Sequence, residues 1–218
     1  EIVEQFLRLR AEAAADARRL HSIVFMGMGE PMHNLPAVCE AIRLITHNRL
    51  GTISKRSVTV STVGIVPGIM ELAHSGLGVH LAISLHAPDD ETRGRIIPTN
   101  RKWSVADVVE AGRAYQQITR RIVTIEYTLL GGVNDSPEQA KLLAERVRGW
   151  RVHVNLIPYN PIGAGVTGVV YRKPTRESLA RFEQLLIDRG VVTHVRRTRG
   201  DDVDAACGQL RLQVLSTR

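Results

Sequence analysis

The stretch SVTVSTVGIVPGIMELAHSGLGVHLAISLH, from Ser57 to His86, carries one complete strand–helix–strand unit. SVTVST is rich in β-branched residues and is followed by Gly64, which is typical of a strand that ends in a turn. VPGIMELAHSG has the spacing of a short helix with Gly76 as its C-terminal cap, and GVHLAISLH is again a strand. Because a helical crossover returns the chain to the same end of a sheet, this unit predicts two parallel strands.

The same alternation continues in both directions along the chain. Upstream, helices in EIVEQFLRLRAEAAADARRL and LPAVCEAIRLITHN flank a short strand in SIVFMGM. Downstream, helices in SVADVVEAGRAYQQIT, SPEQAKLLAERVRG and TRESLARFEQLLIDRG alternate with strands in IVTIEYTLL, VHVNLIP and VVTHVRRT. No linker or repeat interrupts the pattern, so it predicts one α/β domain over residues 1–218, as a parallel (βα) barrel or an open sheet. Because the chain opens on a helix, we expect a partial barrel whose first strand is missing.

Composition narrows the class of protein. The apolar content of 44% and the charged content of 23% are those of a soluble globular protein. No apolar run is long enough to span a bilayer and no signal-peptide pattern opens the chain, so we expect a cytoplasmic protein. The net charge of +7 favours an anionic partner, nucleic acid first, although a general preference for arginine would give the same charge.

Polar residues gather where the predicted strands end. In a parallel barrel the functional groups come from the carboxyl ends of the strands and from the loops that follow. One carboxylate, hydroxyls, an imidazole, an amide and glycine backbone would meet there, and such a set suits a zwitterionic ligand that carries a sugar. Taken singly, each position has a structural alternative: a tight turn at GEP, hydrogen-bonding serines, or a histidine satisfied in the core.

Other site types are not indicated. GMGEP places a negative charge where a phosphate loop needs a donor, and no Walker-type lysine follows it. The eight histidines lack paired zinc-ligand spacing, and no serine-centred nucleophile elbow occurs.

Six segments, in order, resemble one family. They are VFMGMGEPMHN, KRSVTVSTVGIVPGI, LAISLHAPDDETR, VTIEYTLLGGVND, VNLIPYNP and RRTRGDDVDAACGQL, and they lie between Ser22 and Leu210. This order is similar to that of the RlmN/Cfr radical S-adenosylmethionine RNA methyltransferases. The resemblance implies a radical SAM fold of the partial-barrel type and methylation of carbon-2 of adenosine in large-subunit ribosomal RNA and in transfer RNA.

The resemblance also implies roles for individual residues. Gly29 and Glu30 would hold the amino group of S-adenosylmethionine, and Cys207 would be the catalytic, methyl-carrying cysteine. The remaining cofactor contacts of the family fall on Ser61, Ser84, Leu85, His86 and Asn160.

The chemistry of the family explains why a methyl-carrying cysteine is needed. Carbon-2 of adenine is electron-poor and does not attack a methyl cation donor, whereas a thiolate does. In the family, a second S-adenosylmethionine cleaved at a [4Fe–4S] cluster gives a radical that activates the methyl group on sulfur. A second cysteine then releases the product by forming a disulfide, and the cofactors carry the difficult steps.

The sequence departs from the family in one respect. It lacks the C-x-x-x-C-x-x-C motif, and its only cysteines, Cys39 and Cys207, cannot supply three cluster ligands. Cys39 follows Val38 on a predicted helix and is expected to be a buried apolar residue. We therefore expect the cluster ligands and the resolving cysteine upstream of this chain, and a chain truncated at its N-terminus that is inactive alone.

Alternatives remain open at this point. The chain could be a non-catalytic RNA-binding module that uses Arg196, Arg197 and Arg199, or a radical SAM enzyme with another substrate, including carbon-8 of adenosine. A phosphate-binding barrel lyase or isomerase would need an anion loop that the sequence lacks. The expected partners are RNA and an electron donor for the cluster, without a membrane, and the expected state is a monomer.

Overall fold

The strand–helix–strand unit between Ser57 and His86 forms as the sequence predicts. A computed structural model describes residues 1–27, 29–48, 53–97, 102–161 and 169–196. In these ranges the strands are β1 (Ile23–Phe25), β2 (Val58–Thr62), β3 (His80–Ser84), β4 (Val123–Leu129), β5 (Val152–Pro158) and β6 (Val192–Val195). The α-helices are α1 (Ile2–Ala15), α2 (Leu35–Ile45), α3 (Val66–His74), α4 (Asp90–Ile96), α5 (Val105–Thr119), α6 (Pro137–Arg146) and α7 (Arg176–Ile187).

The strands form one six-stranded sheet in the order β1-β2-β3-β4-β5-β6. The pairs β1–β2, β2–β3 and β5–β6 are parallel, with Ser61 of β2 opposite Ala82 of β3. The prediction of a parallel α/β fold is confirmed. The strands β1 and β6 stand at the two ends of this order, and no pairing closes the sheet within the described residues.

The described residues divide into two compact units. The first contains Glu1–Ile83 and Glu110–Val123, and the second contains Ser84–Val109 and the described residues from Thr124 onward. The prediction of one domain over residues 1–218 stays a prediction.

Two elements differ from the sequence-based expectation. The strand β1 ends at Phe25 rather than near Met28, because Gly27 has a φ of 124° that takes the chain out of the extended conformation. Met28 itself lies outside the described residues. The helix α4 was not predicted; it begins after Asp89, whose carboxylate accepts a hydrogen bond from the backbone N–H of Thr92 over 2.7 Å.

Helix caps account for the start of several predicted elements. Ser136 caps α6 by accepting a hydrogen bond from Gln139 N over 3.3 Å, and Pro137 occupies the first helical position. Ser104 and Asp107 bond reciprocally at the start of α5, with Ser104 N donating to Asp107 Oδ2 over 3.0 Å. These caps agree with the predicted N-termini.

The strands of the second unit have one apolar face and one polar face. Along β4, buried residues alternate with half-buried ones, and the half-buried positions are Thr124, Glu126 and Thr128. The buried face packs on α7, where the rings of Tyr127 and Phe182 lie 5.2 Å apart. On β5 the alternation places Asn155 on the half-buried face. Period-two alternation therefore separates the core from a polar strand surface.

Candidate functional site

The Glu30 carboxylate in the first unit joins the loop after β1 to the end of β2. One oxygen, Oε1, accepts a hydrogen bond from Met32 N over 3.0 Å and caps a short 3-10 turn that spans Pro31–Asn34. The other oxygen, Oε2, accepts a hydrogen bond from Val63 N over 2.8 Å. Gly29 has a φ of 98°, a left-handed conformation that favours glycine, and a Cβ atom there would meet nothing within 4 Å. The sequence-predicted Gly29–Glu30 pair thus lies beside the strand that carries Ser61.

Ser61 lies on the half-buried face of β2. It follows Val60, which is fully buried, so the serine hydroxyl is on the polar side of the strand. Within the described residues this hydroxyl has no hydrogen-bond partner. The side chain is therefore available for a ligand.

The predicted segment Ser84–Leu85–His86 leaves β3 and turns sharply in the second unit. The amides of Leu85 and His86 both donate to the carbonyl oxygen of Glu126, over 3.1 and 3.4 Å. His86 has a φ of 58°, which is uncommon for a residue with a side chain. Such a conformation persists where the surrounding contacts determine it.

The imidazole of His86 is held in one tautomer. Its Nδ1 accepts a hydrogen bond from the backbone N–H of Thr128 over 3.0 Å, so in the neutral ring the proton resides on Nε2. Burial, with a smaller contribution from the positive charge of Arg93, lowers the pKa of His86 to about 4. At neutral pH this ring therefore offers a neutral N–H donor.

Two residues that sequence reasoning did not select hold this segment in place. Arg93 of α4, only 1% exposed, donates from Nε to Leu85 O over 3.0 Å and from Nη2 to Ser84 O over 3.4 Å. Asn134, fully buried, donates from Nδ2 to His86 O and to Thr128 O, each over 2.7 Å. Burial lowers the pKa of Arg93 to about 10, so its guanidinium remains charged at neutral pH. No local pattern distinguishes these two polar residues from solvated ones.

Asn160 follows β5 and is half-buried. The preceding amide, Tyr159 N, donates to Leu129 O over 3.1 Å, next to the position where Thr128 bonds His86. Asn160 and His86 thus both flank the end of β4. Further along the chain, Arg172 O accepts a hydrogen bond from Gly131 N over 2.8 Å.

The contact at Gly131 is close because the residue lacks a side chain. A Cβ atom at Gly131 would lie 2.7 Å from the carbonyl oxygen of Lys173. The rings of Tyr159 and Tyr171 lie 6.1 Å apart in an edge-on arrangement. Residues on both sides of the 162–168 segment are therefore anchored at the end of β4.

Part of the predicted site lies outside the described residues. Cys207, Arg197 and Arg199 belong to the chain beyond residue 196, which the structure does not describe. The structure brings Glu30 to the end of β2 in the first unit, and it brings Ser84–His86 and Asn160 to the end of β4 in the second.

The side chains present fit S-adenosylmethionine better than a metal cluster. Ser61, Ser84 and Asn160 are half-buried, and none has a side-chain hydrogen bond within the described ranges. In those ranges no three His, Cys, Asp or Glu side chains lie together as a metal site. Cys39 is buried on α2, and burial raises the pKa of its thiol. With Cys207 as the only other cysteine, this chain does not supply the thiolates of a [4Fe–4S] cluster.

Among the described residues, no helix is both long enough and apolar enough to cross a membrane.

Comparison with known proteins identifies several similar chains. A probable dual-specificity RNA methyltransferase RlmN from Opitutus terrae is 53% identical over 211 residues, which is 97% of this chain and 59% of that protein. A protein of the same description from Thermus thermophilus is 49% identical over 98% of this chain and 59% of its own length. The crystal structure of a radical SAM methyltransferase from Sphaerobacter thermophilus superimposes with a TM-score of 0.87 at 44% identity, covering 95% of this chain and 60% of that one.

The similarity covers nearly all of this chain but only part of each relative. The chain spans about three fifths of the length of the curated relatives that it matches. The family model described as the Radical SAM superfamily matches residues 2–144. That match includes β1 to β4 with Gly29, Glu30, Ser61 and the Ser84–His86 segment. The chain belongs to the Radical SAM superfamily.

Proposed function

We propose that this chain is the S-adenosylmethionine-binding and methyl-accepting part of an RNA methyltransferase that acts on carbon-2 of adenosine. The observation that carries the proposal is the 53% identity, over 97% of the chain, to a protein described as a dual-specificity RNA methyltransferase. Large-subunit ribosomal RNA and transfer RNA are the proposed substrates.

The proposed cofactor contacts follow from the described side chains. The Glu30 carboxylate, fixed by two backbone N–H groups, offers negative charge to the ammonium group of S-adenosylmethionine. Ser61 and Ser84 offer hydroxyls, and His86 offers the N–H of Nε2. The fixed tautomer of His86 supports its proposed role as a donor, since the ring does not have to reorganise when a ligand binds.

Cys207 is the proposed nucleophile. S-adenosylmethionine, when bound, supplies a methyl group to a sulfur nucleophile. The Cys207 thiol would lose its proton to solvent, and the thiolate would form a bond to the methyl carbon while the bond from that carbon to the sulfonium sulfur breaks, which would release S-adenosylhomocysteine. Arginines at 196, 197 and 199 precede this cysteine in the sequence, and positive charge favours the thiolate.

The proposed partners follow from charge and from the relatives' descriptions. A net charge of +7 supports binding to an RNA backbone. We also propose that the protein is a monomer and that an electron donor reduces the cluster. A radical SAM enzyme that methylates carbon-8, or acts on another substrate, is the competing assignment.

Mass spectrometry tests the carrier role directly. The protein as its gene encodes it, with any cluster reconstituted anaerobically, is incubated with methyl-labelled S-adenosylmethionine, and its peptides and an RNA substrate are analysed. We expect label on the Cys207 peptide and on carbon-2 of adenosine. Cys207→Ala should abolish both, whereas the matched variant Cys39→Ala should keep both. Labelled RNA from Cys207→Ala would overturn the proposal, and label on carbon-8 would reassign the target atom.

A further inference from the structure

Glu126 is a half-buried carboxylate on the polar face of β4. Groups of two other residues, Asn155 and Arg196, act on this carboxylate. Asn155 of β5 donates from Nδ2 to Glu126 Oε2 over 2.7 Å. Burial raises the pKa of Glu126, while this hydrogen bond and the charge of Arg196 oppose the increase.

The second oxygen of this carboxylate is open. Within the part of the chain that the structure describes, Oε1 of Glu126 has no hydrogen-bond partner. A carboxylate that is fixed through one oxygen and free at the other is a preorganised acceptor, because the side chain has already lost its rotational freedom. Glu126 therefore resembles a ligand-binding group more than a structural one.

The position of Glu126 relates it to the proposed cofactor segment. Its own carbonyl oxygen accepts the amides of Leu85 and His86. Two residues further along β4, Thr128 N bonds the ring of His86. The carboxylate thus lies on the strand that directly adjoins Ser84–His86, and on its half-buried side.

Charge decides which kind of donor this acceptor fits. Arg196, at the end of β6, donates its amide to Leu156 O over 2.8 Å, and its positive charge acts on Glu126. A ligand ammonium group would be repelled by that charge, whereas a neutral hydroxyl would not. Carboxylates beside a parallel strand are suited to ribose hydroxyls, as in dinucleotide-binding folds.

We infer that the free oxygen of Glu126 accepts a hydrogen bond from a ribose hydroxyl of S-adenosylmethionine, with Asn155 holding the carboxylate in position. This inference rests on the proposed function, because it requires S-adenosylmethionine at the Ser84–His86 segment. It adds a binding residue from β4 and a positioning residue from β5.

Equilibrium binding separates this contact from the contacts of the amino acid part of the ligand. The probes are S-adenosylmethionine, 5′-methylthioadenosine, and the 2′-deoxy and 3′-deoxy forms of 5′-methylthioadenosine. Glu126→Gln should bind both S-adenosylmethionine and 5′-methylthioadenosine about tenfold or more weakly, because a charge-assisted hydrogen bond is lost. Glu30→Gln should weaken only S-adenosylmethionine, since 5′-methylthioadenosine lacks the amino group of the methionine part.

The deoxy probes test the ribose assignment on the unaltered protein. One of the two should bind the wild-type protein about tenfold more weakly, and Glu126→Gln should not weaken it further. Glu145→Gln, at an exposed position of α6, is the matched control and should leave every affinity unchanged.

Three outcomes would count against the inference. Unchanged affinities in Glu126→Gln would remove this residue from the site. Equal losses by Glu126→Gln with both deoxy probes would show that neither hydroxyl is the donor, and would assign the adenine amino group instead. Absence of S-adenosylmethionine binding by the wild-type protein would overturn the proposed function itself, and this inference with it.

Discussion

The side-chain amide of Asn134 donates to the carbonyl oxygen of His86 over 2.7 Å, although 48 positions separate the two residues. The same nitrogen donates to Thr128 O, and the amide oxygen accepts Leu130 N over 2.7 Å. One buried side chain thus fixes the left-handed turn at His86 against the end of β4. The turn that is proposed to contact the cofactor therefore depends on a buried side chain of a different segment.

Replacing Asn134 by alanine should destabilise the protein and weaken cofactor binding together. The change leaves the backbone groups of His86, Thr128 and Leu130 without this partner, and each buried unsatisfied group costs about 1–3 kcal/mol. We expect a decrease of about 3 kcal/mol or more in the free energy of unfolding, measured in urea. Asp135→Asn is the neighbouring control and should cost less than about 1 kcal/mol. Equal stabilities of Asn134→Ala and wild type would show that the amide is replaceable.

The neutral state of His86 predicts how stability depends on pH. Its folded-state pKa of about 4 lies below the ordinary histidine value of 6.5, so the unfolded chain binds the proton first as the pH falls. The stabilisation from His86 is therefore complete above pH 6.5, decreases as the pH falls from there to 4, and is lost below that. The difference amounts to roughly 3 kcal/mol.

The variant His86→Asn isolates this contribution. Asparagine tolerates a positive φ and can accept the amide of Thr128, but it does not titrate. Urea unfolding at pH 7 and pH 4.5 should show a smaller pH dependence in this variant than in wild type. His33→Asn, at an exposed position, should keep the wild-type dependence. Identical slopes for His86→Asn and wild type would contradict the assigned tautomer and burial.

The effect of Arg93 should be measurable as a change in the pKa of His86. Its positive charge lowers the pKa of His86, so Arg93→Met should raise the pKa that NMR reports for this imidazole, and Arg93→Lys should raise it less. The methionine variant also leaves Leu85 O and Ser84 O without their donor, at a cost of about 1–3 kcal/mol in stability. Arg95→Met, exposed on the same helix and paired with Glu91, should change stability by no more than about 0.5 kcal/mol. An unchanged imidazole pKa in Arg93→Met would refute the electrostatic coupling.

Glu30 is expected to act on both folding and binding. Glu30→Gln keeps an acceptor for one of the amides of Met32 and Val63 but turns an NH₂ group toward the other. Loss of a charge-assisted hydrogen bond to the cofactor would weaken binding by about 1.5–3 kcal/mol, tenfold or more in affinity, as calorimetry can measure. Glu40→Gln, an exposed position on α2, should leave binding unchanged. Binding of wild-type strength by Glu30→Gln would remove this residue from the site.

The sequence predicts the elements of this fold well because their signals are local. VHVNLIP coincides with β5, and the Ser136–Pro137 pair marks the start of α6. The predicted end of β1 was wrong. The apolar run continues through Met26, but Met26 is exposed and the conformation of Gly27 ends the strand before it.

The residues of the candidate site also include some that the sequence predicts and others that it does not. Glu30 follows one predicted strand and Ser84–His86 ends another, and both positions could be selected because functional groups of parallel α/β folds come from the carboxyl ends of the strands. The Arg93 guanidinium could not be predicted, since DDETR looks like an exposed, charged helix start, and burial of its arginine depends on the turn of a strand that it contacts. The bond between Asn155 and Glu126 likewise needs the adjacency of β4 and β5, which neither segment encodes alone.

The close approach of Gly131 to Lys173 joins the end of β4 to a distant part of the chain through backbone atoms. Tyr159 N donates to Leu129 O, and Gly131 N donates to Arg172 O. Since backbone atoms make both contacts, most side-chain substitutions at positions 159 and 172 leave the donors and acceptors in place. A Cβ atom at Gly131, in contrast, would lie 2.7 Å from the carbonyl oxygen of Lys173, so even alanine at this position would force the two backbone segments apart.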